Sequence, residues 1–235
     1  MAIQSRNRTP NGATTSANAR QNASSHSITA TQATALTLAY ACFIAFCIYA
    51  ILWVPPVVPA TAPSTEFSEA RALAHVAALA TDIGGRQVST PGVEAAAAYL
   101  LEQLDEIERH PHFRTDILFD VVRESASGAV NFNFLGTNVT NVYTNLTNIV
   151  VRVATPRTDA LASEAQRRGI DPPKALLVNA HFDSTMGTSG ASDCASCVGI
   201  MLELLRALAT DATWELEAPL IVLFNGGEET LMQAR

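Results

Sequence analysis

The stretch that decides the fold is Lys174-Ala-Leu-Leu-Val-Asn-Ala-His-Phe-Asp-Ser184, a short apolar run that ends in polar side chains. A second run, Leu220-Ile-Val-Leu-Phe224, leads in the same way into Asn225-Gly-Gly-Glu-Glu229. Short continuous apolar runs are typical of strands in a sheet that is covered on both faces. Between the two runs, apolar side chains recur at the spacing of an amphipathic helix, namely Val198, Met201, Leu202, Leu205 and Leu208. This alternation predicts an α/β fold.

The same alternation extends upstream. Apolar spacing predicts helices over residues 66–80 and 91–107, the second with Thr90 as its N-cap and Pro91 in its first turn. A surface helix is predicted over 158–168, and strands over 113–122 and 146–153.

The N-terminal part has a different composition. Residues 1–32 are rich in Ser, Thr, Ala, Asn and Gln and predict a disordered tail. Residues 33–54 are 22 uncharged residues, which as a helix cover roughly 33 Å, enough to cross a bilayer core. Residues 55–65, which contain several prolines, predict a linker before a domain over 66–235.

Three kinds of segment compete for this N-terminus. A cleaved signal peptide would be shorter, although Ala60-Thr-Ala62 resembles a cleavage site, and a transit peptide would lack the long apolar run. A signal anchor fits both the acid-free, Arg-containing tail and the long apolar run. The three arginines of the first 65 residues all precede the run, so the positive-inside rule predicts a cytosolic tail and a lumenal domain in a secretory-pathway membrane such as the endoplasmic reticulum. Two acceptor sequons, at Asn138 and Asn145, would then make the protein a glycoprotein.

Charge and cysteine content narrow the function. The chain carries 22 acidic and 15 basic side chains, for a net charge of −7, and residues 66–235 contain all of the acids. Such a domain lacks the basic surface that nucleic-acid binding needs. The four cysteines do not form the pattern of a disulfide framework.

Three segments carry residues suited to chemistry, and each follows a predicted strand. In the first, Asp183 would orient the ring of His181 for a metal, although a strand-end histidine with a local hydrogen bond is the commoner case. In the second, Asp193 either points into the site or caps the following helix. In the third, Glu228 and Glu229 repel one another unless a cation lies nearby, or they are solvated in a Gly turn. Together these side chains form a ligand set that suits zinc.

The combined motifs resemble the co-catalytic zinc aminopeptidases of peptidase family M28, and most closely their endoplasmic-reticulum metallopeptidase branch. The resemblance covers residues 66–235 and rests on Asn179-Ala-His-Phe-Asp-Ser184, Gly190-Ala-Ser-Asp193, Met201-Leu-Glu-Leu204, Phe224-Asn-Gly-Gly-Glu-Glu229 and an opening Gly84-Gly-Arg86. It implies a three-layer α/β/α zinc-exopeptidase-like domain, incomplete in this chain, preceded by one transmembrane helix. The implied activity is removal of an N-terminal residue from a peptide substrate.

The resemblance also implies roles for individual residues. His181 would bind one zinc ion, Asp193 would bridge two, and Glu229 would bind the second. Glu228 would be the general base, and Asp183 would orient His181. The family takes a further carboxylate and a further histidine from sequence beyond Glu229, so residues 1–235 alone are expected to be inactive.

Two other functions occur on this fold. A glutaminyl cyclase-like acyltransferase would use a similar site for an intramolecular reaction. A non-catalytic ectodomain of the transferrin-receptor kind typically loses ligands, whereas His181, Asp193 and Glu229 are all present here. Cys194 and Cys197 stand where many relatives have other residues; they resemble a redox motif, but helix packing is the interpretation that the surrounding motifs favour.

Overall fold

A computed structural model of the chain describes residues 29–230. The chain divides into two compact units, Met1–Pro55 and Pro56–Arg235. The first contains helix α1, Ala30–Leu52, which Thr29 and Gln32 close at its start with a capping box. Helix α1 is long and apolar enough to cross a membrane by length and composition. Helix α1 begins three residues before the predicted run of residues 33–54 and ends two residues before that run ends. Residues 1–28, which are most of the predicted tail, lie outside the described residues.

The second unit, over its described residues 56–230, contains four further helices. They are α2, Glu69–Ala77; α3, Pro91–Glu108; α4, Pro156–Arg168; and α5, Ser196–Thr210. Two π-helical turns, Ala78–Ile83 and Ala191–Ala195, follow α2 and precede α5. Thr90 is the N-cap residue of α3 and Pro91 lies in its first turn, as predicted.

One mixed sheet holds the unit together. Its strands are β1, Leu118–Phe134; β2, Thr137–Ala154; β3, Leu176–His181; and β4, Leu220–Asn225. Their order is β1-β2-β4-β3, with β3 parallel to β4 and the other pairs antiparallel. The predicted α/β class is therefore confirmed. Because β3 and β4 are parallel, their last residues, His181 and Asn225, lie side by side at one edge.

The core lies between this sheet and helices α3 and α5. Ile149, Val151 and Val153 of β2 are buried, and they pair with the buried side chains of Phe224, Val222 and Leu220 on β4. On the opposite face Leu177 is 58% exposed. The expectation that the sheet is covered on both faces is therefore met on only one face within the described residues.

The strands differ most from prediction in the hairpin. Residues 113–117 precede β1 rather than belonging to it, and the polar stretch before Leu146 is part of β2. Strands β1 and β2 remain paired to Phe134 and Thr137, far beyond the end of the four-stranded sheet, with an irregularity between Ala126 and Gly128. Alternating Asn, Thr and Val residues support strand pairing here although the segment contains little continuous apolar sequence.

The segment before α2 is fixed to the domain. The guanidinium of Arg71 donates hydrogen bonds to the carbonyls of Ala60, Ala62, Pro63 and Glu66. Arg206 on α5 donates to the carbonyls of Ser64 and Glu66. Both arginines are paired with Glu203, which is fully buried. The predicted linker therefore packs against the domain through much of its length.

Candidate metal centre

The three predicted site segments come together at the carboxyl edge of β3 and β4. His181 is the last residue of β3, and Glu228 and Glu229 follow β4 by a few residues. Asp193 lies in the π-helical turn before α5. Ligands at the carboxyl ends of parallel strands are the usual arrangement in open α/β sheets. The three segments that the sequence analysis singled out thus lie together at this edge of the sheet.

His181 is oriented by partners on both ring nitrogens. Its Nδ1 lies 3.3 Å from Oδ1 of Asp183, and its Nε2 lies 3.1 Å from Oδ1 of Asp193. Nε2 is also 3.9 Å from Oε2 of Glu228. Nδ1 also lies 3.2 Å from the backbone carbonyl oxygen of Asp183. Because Asp183 occupies Nδ1 in both ways, Nε2 is the nitrogen that a metal could bind; the orienting role of Asp183 stays a prediction.

Asp183 also fixes the turn that carries the two glutamates. Its side chain is fully buried, and its two oxygens accept hydrogen bonds from the backbone N–H groups of Glu228 and Glu229 at 3.2 and 3.0 Å. One carboxylate therefore sets the position of His181 and of both glutamates. No residue pattern indicates this second role, because its partners are backbone N–H groups.

Asp193 contacts the histidine instead of capping α5. Its backbone is non-helical, α5 begins at Ser196, and α5 shows no side-chain cap hydrogen bond. The carboxylate of Asp193 is directed at His181. Gly190 allows this conformation, because its φ is +55° and a Cβ there would lie 2.8 Å from both Ser184 and Arg86.

Arg86 holds the loop between His181 and Asp193. Its side chain is fully buried and donates hydrogen bonds to five carbonyls, those of Phe182, Leu79, Gly84, Ser189 and Gly190. Its backbone N–H donates to the hydroxyl of Ser184. Because Arg86 binds both ends of the loop, it sets the separation of two candidate ligands. The sequence analysis named it only as part of the Gly84-Gly-Arg86 motif.

The turn after β4 is closely packed. A Cβ on Gly226 would collide with the carbonyl oxygen of Thr147 and with the ring of Phe182. The N–H of Gly226 donates to the side chain of Asn148, and the N–H of Gly227 donates to Asn225. Glycine at 226 thus lets the Glu228–Glu229 segment approach β2.

The electrostatics of the site favour a cation. The hydrogen bond with Asp183 is the largest cause that raises the pKa of His181 to about 9; Asp193 and Glu228 also raise it, while burial opposes them. Burial and the charge of Asp193 raise the pKa of Glu229 above its ordinary value. Neighbouring carboxylates contribute to both shifts, and a metal ion would relieve that clustered negative charge in place of a proton.

The donor set fits a metal of the zinc type. The ligand atoms of His181, Glu228 and Glu229 lie within 4.8 Å of one another, as do those of His181, Asp193 and Cys194. Cys194 forms a disulfide with Cys197, a pair for which the sequence analysis favoured helix packing over a redox motif, and the bond removes its thiolate as a ligand. Imidazole and carboxylate oxygens then remain, a combination that zinc accepts.

Comparisons with known proteins agree with this site. Residues 163–234 match the profile of Peptidase family M28. The chain is 37% identical over 172 residues to a putative endoplasmic reticulum metallopeptidase 1 of Schizosaccharomyces pombe, covering 72% of this chain and 20% of that protein. It is 39% identical over 155 residues to endoplasmic reticulum metallopeptidase 1 of Homo sapiens, covering 66% and 15% respectively.

Among solved structures, a zinc aminopeptidase from Bacillus subtilis aligns with 68% of this chain and 62% of its own. Its identity of 14% and TM-score of 0.44 are too low to bear on function. The chain spans a fifth or less of the length of the two metallopeptidases above. The family profile falls on the segment that carries His181, Asp193, Glu228 and Glu229, and the relatives extend the match upstream: the chain belongs to peptidase family M28, in its endoplasmic reticulum metallopeptidase branch.

Proposed function

We propose that this chain is the membrane-anchored part of a zinc-dependent metallopeptidase that hydrolyses N-terminal peptide bonds. The observation that carries the proposal is the orientation of His181: Asp183 holds Nδ1, and Nε2 faces Asp193 and Glu228. That arrangement directs Nε2 into a group of carboxylates, as a metal centre requires. Family membership supports a peptidase, and the aminopeptidase specificity is our inference.

Three side chains would hold the metal. His181, Asp193 and Glu229 would bind two ions, with Asp193 shared between them. When bound, zinc polarises the carbonyl of the scissile peptide bond and lowers the pKa of a water molecule. Asp183 would keep the His181 ring in the orientation that binding needs.

Glu228 would be the general base. Its backbone N–H is fixed by Asp183, while its side chain is 47% exposed and so accessible to water and substrate. Its carboxylate would take a proton from the attacking water and deliver it to the leaving amine, so the new free N-terminus departs uncharged. Glu229, the adjacent residue, would bind the metal instead, so the neighbouring glutamates would divide proton transfer and metal binding.

The location follows from helix α1. Residues Ala30–Leu52 would cross the membrane of the endoplasmic reticulum once, with the arginine-containing tail in the cytosol and the domain in the lumen. The names of the relatives support the compartment. A lumenal domain would meet secreted and membrane peptides as substrates.

A matched pair of variants tests the proposal. In the full-length protein, Glu228→Gln should lower kcat by about 100- to 10,000-fold while zinc content stays near that of the parent. Glu229→Gln should lower zinc content itself. Zinc is measured by elemental mass spectrometry, and turnover with a panel of aminoacyl-peptide substrates.

The products discriminate the alternatives. Hydrolysis of an N-terminal Leu peptide releases free leucine, whereas a cyclase would convert an N-terminal Gln peptide to its cyclic form with loss of ammonia. Full turnover by Glu228→Gln would refute the base assignment. Cyclisation without hydrolysis would refute the peptidase.

A further inference from the structure

The β1–β2 hairpin extends beyond the four-stranded sheet as a two-stranded arm, residues 128–143. Its register is set by cross-strand pairs such as Phe132 with Val139 and Phe134 with Thr137. Because side chains alternate along a strand, each pair defines one face of the arm. The arm reaches toward the metal centre, where Asn141 Nδ2 donates a hydrogen bond of 2.6 Å to the carbonyl of Thr230.

The two faces of the arm differ in chemistry. One face carries mainly apolar side chains, namely Val130, Phe132, Phe134, Val139 and Tyr143. The other face is mainly polar, with Asn131, Asn133, Asn138 and Thr140. Most of the apolar face is partly covered, whereas the polar face is exposed. An isolated two-stranded ribbon has no core of its own, so its apolar face needs a partner.

The apolar face borders the candidate metal ligand Glu229. A cavity of about 340 Å³ is lined by Phe132, Phe134, Val139, Asn141, Glu229 and Thr230. Ligand sites commonly combine apolar walls with a few placed polar groups. Here the walls come from the arm, and the polar groups come from Asn141 and from the turn that carries the two glutamates.

We infer that the apolar face of the arm is a substrate subsite that receives an apolar side chain of the peptide, beside the bond that is cleaved. This inference rests on the proposed function, because it takes the Glu229 turn to be part of the reaction centre. A peptide whose carbonyl lies at the metal centre must place its neighbouring side chains within a few ångströms of that turn. Of the surfaces that line this cavity, Phe132, Phe134 and Val139 supply apolar contact.

The arm is built to hold this face in place. The Asn141 contact joins the arm to the residue after Glu229, and Ser89 on the opposite side bonds the backbone of Thr144 at the base of the arm. Phe134 at the tip is 54% exposed and so accessible to a ligand. The subsite and the glutamate turn therefore keep a fixed relation, which selection of a side chain requires.

Two valines on β2 provide a matched test. Val139 lines the cavity, whereas Val142 lies on the opposite face and is 72% exposed. In the full-length protein, Val139→Ser should lower the ratio of kcat/KM for Leu-initiated over Ala-initiated peptides by about tenfold, mainly through KM. Val142→Ser should leave that ratio within about twofold of the parent.

A binding measurement separates recognition from catalysis. The affinity of the metal-depleted protein for a labelled Leu-initiated peptide is measured by fluorescence polarisation. This affinity should fall in Val139→Ser and in Phe132→Ala, but not in Val142→Ser. The subsite would be overturned if Val139→Ser and Val142→Ser had the same Leu-to-Ala ratio of kcat/KM and if Val139→Ser bound the peptide as tightly as the parent protein does. A lower thermal stability for Val139→Ser without a change in the ratio would show that the face only packs. If the parent protein cleaves no peptide in the presence of zinc, the proposed function fails and the subsite fails with it.

Discussion

The buried carboxylate of Glu203 provides the sharpest test of how the domain is held together. It accepts hydrogen bonds from the backbone N–H of Ser68, from Nε of Arg71 and from two nitrogens of Arg206, at 2.6–3.0 Å. The two arginines in turn bind the carbonyls of the segment before α2. We expect Glu203→Gln to keep the size of the side chain and remove the charge on which both arginines depend.

The magnitude follows from burial. The side chains of Arg71 and Arg206 are largely buried, and that of Glu203 is completely so. Removing one partner of a buried ion pair typically costs about 3–5 kcal/mol. We expect about 3 kcal/mol, the low end, because the guanidinium groups keep their carbonyl partners. In a domain of this size that loss lowers the Tm by roughly 6–12 °C.

Thermal unfolding and hydrogen exchange measure the two consequences. Glu203→Gln should lower the Tm of the detergent-solubilised chain and speed amide exchange between Val58 and Ser68. The control is Glu164→Gln, which breaks an exposed pair with Arg167 and should change stability by less than about 1 kcal/mol. A Tm and an exchange pattern that match the control would show that the Glu203 network does not hold the segment.

The same carboxylate predicts a pH dependence. Burial by itself raises the pKa of Glu203, but hydrogen bonds from Arg206 and Ser68 and the charges of the arginines outweigh it and leave the pKa below the ordinary value of 4.5. A depressed pKa stabilises the fold above pH 4.5, and that stabilisation is lost as the pH falls through the folded pKa. The difference in unfolding free energy between the parent and Glu203→Gln should therefore shrink below pH 4.5.

Three further outcomes are expected. Asp183→Asn should weaken zinc affinity about 10- to 100-fold, measured by competition with a chelating dye, because the side chain beside His181 loses its charge and one of the two oxygens that accept from the N–H groups of Glu228 and Glu229. Since the metal-free site holds the pKa of His181 at about 9, zinc must displace a proton, and its affinity should rise about tenfold per pH unit below that value; titration calorimetry in two buffers counts the released proton. Expressed with microsomes, the protein should carry an endoglycosidase-sensitive glycan on Asn138 and none on Asn7, and the reverse pattern would invert the topology.

The fold was predictable where apolar sequence is continuous. Strands β3 and β4 and helix α5 match their predicted ranges closely, since each has one strong apolar pattern. The prediction of α2 was less accurate: it was predicted over residues 66–80 but covers Glu69–Ala77, and within it Leu73 is 55% exposed while Ala72 is buried. A Cβ on Gly199 would meet the carbonyl oxygen of Ala72, so α2 and α5 approach through small residues that apolar periodicity does not reveal.

The hairpin arm escaped prediction for a different reason. Its strands contain Asn and Thr at most outward positions, and their apolar residues alternate with polar ones over a two-stranded ribbon. No strand was therefore predicted over residues 123–145, although the alternation of Val130, Phe132 and Phe134 is a period-two signal. Counting that period across Gly136, which turns the chain with a φ of +84°, would have identified the hairpin.

The site itself combines residues that sequence patterns find with residues that they miss. The family resemblance implied His181, Asp193 and Glu229 as ligands, and imidazole and carboxylate groups suit zinc. The residues that place them act through backbone atoms: Asp183 joins the ends of β3 and β4, and Arg86 joins both ends of the loop between His181 and Asp193. These hydrogen bonds lie within the protein and join the ligand segments to one another. The segments would therefore need little further ordering when a metal binds, and a bound metal ion would take the place of a proton on His181.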